Sequence, residues 1–213
     1  ITILVALVGG RVNPAFTKNA LPGSDPIHKP FVEIAAFGLL ILLAATTLVS
    51  GEILLSPWLP AGLAFLAAIA HAVRLALWQP SLTLSSPLLW MMPVAYSWLP
   101  LALVLRGLAG LGIVLPGTWI HALTVGALTS LMIAMMMRST LGHTGRELAA
   151  SRTDLVIFLL LQLAAVLRVL AGITGDHRTL TILAGIVWIA AFTRFLLRYL
   201  PMLMRPRVDG KPG

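Results

Sequence analysis

The sequence predicts an all-α polytopic transmembrane helix bundle, with six full spans plus one truncated N-terminal span. Three observations carry this. Apolar residues make up 59% of the 213 and charged residues only 10%, against about 45–50% and about 25% in soluble domains. Mean hydropathy is +0.97. Six apolar runs reach the roughly 20 residues that a helix needs to cross the hydrocarbon core. An ordinary soluble enzyme domain and a disordered basic tail are both excluded. The absence of Cys removes disulfides, iron–sulfur clusters and thiolate nucleophiles.

The chain opens on Ile1-Thr2-Ile3-Leu4-Val5-Ala6-Leu7-Val8, with no Met and no basic segment ahead of it. That pattern differs from a signal peptide and reads as the last turns of a span, about 1–8. On this reading the chain is one transmembrane domain, 1–213, forming the C-terminal part of a longer protein. The missing N-terminal half would be its first partner. Full spans follow at about 31–51, 57–77, 88–108, 118–138, 155–174 and 179–200. Glu33 and Glu52 bracket the first of these. Pro57 and Pro60 open the second, where early helix N–H groups lack partners anyway. Pro116-Gly117 divides the long run 107–137, Gly172, Gly175 and Asp176 mark a short turn, and Pro201 closes the last span.

The charges settle the topology. Arg11, Lys18, Lys29, Arg74, Arg138, Arg146, Arg152, Arg194, Arg198, Arg205, Arg207 and Lys211 fall on one side of the predicted membrane. Only Arg106, Arg168 and Arg178, of 15 basic residues, fall on the other. The positive-inside rule makes the rich side cytoplasmic, the C-terminus included. Basic residues at the ends of apolar runs, rather than along one face, argue against nucleic acid and for the lipid bilayer as the partner of the +8 charge. Trp58, Trp78, Trp90, Trp119 and Tyr199 sit near span ends, as interfacial anchors do. Trp98 and Trp188 lie deeper, as packing residues.

Ionisable side chains within lipid cost roughly 2.5–3.5 kcal/mol at mid-helix, so each needs a reason. Arg168 can snorkel outward or meet an anionic partner. Arg106 reads as an anchor, and Gln162 as an interhelical hydrogen-bonding residue. His71 and His121 are the candidate metal ligands, since neutral imidazole ligates metals and haem iron; the alternative for each is a hydrogen bond to a neighbouring helix. They approach from opposite faces, roughly 15 Å apart in depth, too far to share one metal ion. His28, His143 and His177 fall in loops. Met132, Met135, Met136 and Met137 raise copper through soft thioether ligation, but Met132 stands ~16 Å along the helix from His121, and packing is the simpler reading. Gly126 and Ser130 form a small-xxx-small pair that permits close helix approach.

The polar segments have a specific pattern. Gly9-Gly10-Arg11-Val12-Asn13-Pro14-Ala15-Phe16-Thr17-Lys18-Asn19-Ala20-Leu21 resembles the GGRV-x-P-x-FT-x-x-AL signature of the NnrS family, with Asn13 and Lys18 as small departures. His71-Ala72-Val73-Arg74-Leu75 with Trp78, His121 to Gly126 continuing to Arg138, Leu141 to Arg146, and Arg205 to Gly213 resemble its later segments in order. The resemblance implies a polytopic bacterial inner-membrane protein with haem and copper, linked to nitric oxide metabolism, denitrification and nitrosative-stress resistance, with nitric oxide as ligand. It points to His71, His121 and His143 as cofactor residues because they lie in the matching motifs. Arg11, Arg138 and Arg146 are then candidates to neutralise haem propionates; positive-inside topology alone is the competing account. Gly142 and Gly145 would permit a tight turn that aims His143 back at the membrane, toward His71.

Two other function classes remain open on sequence. A transporter or channel needs polar groups at the midplane, and here there are only Gln162 and a few Thr and Ser. A non-catalytic assembly factor or sensor would use the cytoplasmic segments as a docking surface. No paired carboxylates, triad or phosphate loop is present, and the seven acids lie in loops or at helix ends, so a bound metal would have to carry any turnover.

Overall fold

The computed structural model describes residues 1–49, 56–174 and 176–210. Among these residues the chain forms seven helices and no strand. They are α1 (Thr2–Ala20), α2 (Pro30–Val49), α3 (Trp58–Leu77), α4 (Pro87–Gly110), α5 (Thr118–His143), α6 (Arg152–Thr174) and α7 (His177–Leu203). A one-turn helix, Pro80–Thr83, links α3 to α4. Helices α2 to α7 are each long and apolar enough to cross a membrane, in register with the six full spans read from sequence. The end of the first of those, together with Glu52, lies outside the described residues.

The first helix differs from expectation. The stretch 9–21, expected as a cytoplasmic loop beyond a first span ending near residue 8, is helical through Ala20. Pro14 removes one helix hydrogen bond and crowds the carbonyl four residues earlier. The side chains of this turn add bonds of their own: Asn13 Nδ2 donates to the Gly9 carbonyl at 2.9 Å, and Thr17 Oγ1 to the Asn13 carbonyl at 3.0 Å. Gly9 and Gly10 are places of close approach rather than helix breaks. A Cβ on Gly9 would lie 2.5 Å from Tyr96 Cδ2, and one on Gly10 would run into the Arg74 guanidinium.

Helix α4 is the hub. About two thirds of its membrane window (67%) is buried, against 17% for α7, and it packs on α1, α3 and α5. Its inward side chains, Met91, Met92, Tyr96 and Leu99, meet Ile157 and Phe158 of α6 in one core. Within α5, residues Ala122–Thr129 wind as a π-helix, and Thr129 Oγ1 reaches the carbonyl five residues back, Thr124, at 2.9 Å. Gly126 sits in this wide segment with the Trp98 indole pressed against it. Trp98 Nε1 donates to Gln162 Oε1 at 2.7 Å, and Gln162 Nε2 donates to Ser130 Oγ at 2.8 Å. The expected interhelical bond of Gln162 is thus a three-residue chain tying α4, α6 and α5.

Two aromatic residues read as interfacial anchors are core residues. Trp78 is buried against the Tyr96 ring, centroids 4.7 Å apart. Tyr199 is buried and donates to Asp154 Oδ1 at 2.8 Å. Asp154 also accepts Arg198 Nε at 2.6 Å and Nη2 at 2.9 Å, joining α6 to α7. Its Oδ2 accepts the Ser151 N–H at 2.7 Å while Ser151 Oγ accepts the Asp154 N–H, a reciprocal cap that starts α6.

Candidate functional site

The most polar interior of the bundle lies where α1, α2, α3 and α4 meet near the basic end. Arg74, three residues after His71 on α3, is buried with its side chain only 4% exposed. Its Nε and Nη2 donate to the two Glu33 carboxylate oxygens at 2.7 and 2.6 Å, the planar bidentate geometry that a guanidinium favours. Its Nη1 donates to the Ala6 carbonyl at 2.7 Å and to the Tyr96 hydroxyl at 2.9 Å. Phe37 and Trp78 flank the guanidinium at 5.0 and 5.2 Å. Four of the five N–H donors are therefore engaged, and one side chain ties four helices together. From sequence Arg74 reads as a charge at a span end and Glu33 as one bracket of its span. The signals that mark them were the i, i+3 spacing of His71 and Arg74 and the bare glycine pair of α1.

His71 lies next to this network, with no solvent exposure. Its Nδ1 is 2.8 Å from the Tyr96 hydroxyl. Arg74 can only donate, so the hydroxyl oxygen accepts from Arg74; toward His71 it either gives its own hydrogen to Nδ1 or accepts a second bond from an Nδ1–H, according to the ring tautomer. Nε2 is buried and has no partner within hydrogen-bond geometry, although the Ala36 backbone of α2 interacts with the ring. Only the Nδ1–H tautomer leaves Nε2 a lone pair for a metal.

His121 stands at the opposite end, in the first turns of α5. Its ring is half-buried, has no hydrogen-bond partner among the described residues, and feels the charge of Arg168 on α6. Arg168 is itself half-buried. It donates to Thr181 Oγ1 at 3.2 Å and lines a groove of about 220 Å³ with Val125, Ala184 and Trp188. Arg106 is on this end too, over the Trp119 ring at 5.0 Å.

The remaining predicted residues are spread out. His143 is the last residue of α5 and is exposed. The tight turn after it exists, with Gly145 at φ 72°, but it seats the C-terminal tail. Val208 N–H donates to the Thr144 carbonyl at 3.2 Å, and a Cβ on Gly145 would lie 2.6 Å from the Asp209 carboxyl carbon. Arg11 is exposed on α1, and Arg146 is half-buried with its Nη1 3.5 Å from the Thr144 carbonyl. Arg138 is half-buried, 4.7 Å over the Phe16 ring. The structure brings neither His143 nor His121 to His71, and no group of three or more His, Asp or Glu able to hold a metal occurs among the described residues.

Fold and site together define a polytopic membrane protein whose interior is organised by a buried Arg–Glu–Tyr–His network. The family model described as NnrS protein matches residues 1–207, nearly the whole chain, and the chain belongs to that family. Membership suggests a membrane protein of the nitric oxide response. No curated protein and no solved structure matches the chain.

Proposed function

We propose that this chain forms part of a haem-binding, multi-pass protein of the bacterial inner membrane, C-terminus in the cytoplasm, that acts in nitric oxide metabolism or nitrosative-stress resistance. Family membership over residues 1–207 is the observation that carries the nitric oxide reading. The twelve-to-three division of basic residues supports the orientation.

The two candidate ligands differ in fitness for haem. His71 fits less well: its ring has no solvent exposure, which leaves no open face for a macrocycle, and Nδ1 is engaged by Tyr96. His121 fits: its imidazole is half-buried and makes no hydrogen bond among the described residues, and Arg168 supplies a cation for a carboxylate. Bound there, haem would supply the iron that takes up nitric oxide. The chain's own part is to present the His121 nitrogen, to balance propionate charge through Arg168, and to set the wall of the site with the π-helical turn beyond His121. Such segments are frequent at functional sites. Among the described residues the thioethers of Met132, Met135 and Met136 line one groove, with Met132 eleven residues along α5 from His121, so they do not join that imidazole in a copper site.

The test is the absorbance spectrum of the detergent-purified protein, oxidised and dithionite-reduced, with and without nitric oxide. A Soret band that shifts with nitric oxide and is lost in His121→Ala supports the assignment. A band unchanged in His121→Ala refutes the ligand. A colourless protein, expressed with ample haem, overturns the haem reading and favours a transporter or assembly factor.

A further inference from the structure

A groove of about 390 Å³ runs between α1 and α5, walled by Leu4, Val8 and Phe16 on one side and Leu128, Met132 and Ser139 on the other. Its lining is almost wholly apolar, and Leu4, Met132 and Met136 are exposed along it. From Leu4 to Phe16 it covers twelve residues of helix, about 18 Å at 1.5 Å per residue. That is close to the depth of one leaflet, half of a roughly 30 Å hydrocarbon core.

The basic end of the groove carries Arg138. The guanidinium lies 4.7 Å over the Phe16 ring, and Phe16 is itself a groove wall. Unlike Arg74, Arg198 and Arg207, which are paired with carboxylates, Arg138 has no hydrogen bond or ion pair among the described residues. A half-buried guanidinium with five unused donors attracts a multidentate oxyanion such as phosphate. The cation–π contact holds its plane in place without using those donors.

We propose that the α1–α5 groove is a binding site for an anionic phospholipid, with an acyl chain along the groove and the headgroup phosphate on Arg138. An apolar channel of one-leaflet length that ends in an unpaired cation is complementary to such a lipid in both shape and charge. A neutral helix would satisfy the channel but leave the cation bare. The flexible thioethers of Met132, Met135 and Met136 can adapt to a mobile chain.

Native mass spectrometry of the full chain, released from detergent after equilibration with phosphatidylglycerol or with phosphatidylcholine of the same acyl chains, tests this. The wild type should retain phosphatidylglycerol about fivefold more than phosphatidylcholine, the preference that one basic residue near a membrane surface confers. Arg138→Gln should bring that ratio to about one, and Met132→Trp, filling the groove from an exposed position, should lower retention of both lipids. Arg11→Gln, off the groove on α1, should change nothing. Equal retention of the two lipids by the wild type would overturn the proposal. So would an unchanged ratio in Arg138→Gln, unchanged retention in Met132→Trp, or a dimer of the chain in place of a lipid adduct. Thermal midpoints of the variants, matched to wild type, separate lost binding from lost folding.

Discussion

Removing the Glu33 carboxylate should destabilise the bundle strongly. In Glu33→Ala, Arg74 loses both charge-assisted hydrogen bonds, at 2.7 and 2.6 Å, and remains a cation whose side chain is 4% exposed. Breaking one partner of a buried pair costs about 3–5 kcal/mol. The Ala6 carbonyl and Tyr96 hydroxyl still accept from Nη1, and Glu33 is itself 29% exposed, which places the cost near the low end, about 3 kcal/mol. An uncompensated charge within a span costs a similar ~2.5–3.5 kcal/mol on insertion scales. The assay is equilibrium unfolding in mixed micelles by denaturing detergent, followed by tryptophan fluorescence, with Trp78 at 5.2 Å from the guanidinium carbon as a reporter within the network. Arg74→Met and the double variant complete a cycle that isolates the pair. A loss below about 1 kcal/mol in Glu33→Ala, or additive single effects, would refute the account of Arg74 as a cation dependent on Glu33.

Three further outcomes follow from particular contacts. Gly10→Ala should cost about 1–3 kcal/mol by the same titration, because the new methyl meets the Arg74 guanidinium, whereas Gly62→Ala, with open space at its Cβ, should be neutral or slightly stabilising. Asp154→Asn should cost about 3 kcal/mol by removing the charge that Arg198 and Tyr199 address; midpoints matching wild type would refute it. Gln162→Leu should cost only about 0.6–1.7 kcal/mol, the range for interhelical hydrogen bonds in membranes, and a larger loss would show that Trp98 and Ser130 depend on it for more than one bond each.

What the sequence made legible follows from how lipid constrains a chain. Hydropathy located the six spans because backbone groups in hydrocarbon must be paired within the helix, and their ends agree with the structure to within a few residues wherever both are described. Trp98, Gln162 and the Gly126–Ser130 face were also readable, since a polar side chain at mid-depth must find another helix. The misreadings share one cause. The apolar run of the first span ends near Val8, so 9–21 reads from sequence as a cytoplasmic loop. In the structure Gly9 and Gly10 admit Tyr96 and Arg74, residues 87 and 64 positions away in sequence. Glu33 and Arg74 each looked like a charge at a span end, and only the fold shows that the two ends coincide. The same holds for Tyr199, whose hydroxyl is satisfied by Asp154 rather than by interfacial water.

The pairing of Glu33 with Arg74 also changes the weight given to the two membrane histidines. Both lie within stretches that resemble the family pattern, and on sequence both are candidate ligands. Their surroundings separate them. His71 has no solvent exposure, and its Nδ1 is held by a Tyr96 hydroxyl that also accepts from Arg74. With Nε2 on a metal the His71 proton stands on Nδ1, and the buried Tyr96 hydrogen loses Nδ1 as an acceptor, a cost of about 1–3 kcal/mol. His121 has no such obligation. The proposed haem ligation by His121 thus leaves the HxxR segment of α3 to the framework of the bundle. Under that proposal the spectra of His71→Gln and His121→Ala should diverge: the first with its Soret position kept and its unfolding midpoint lowered, the second with the band lost and the midpoint kept.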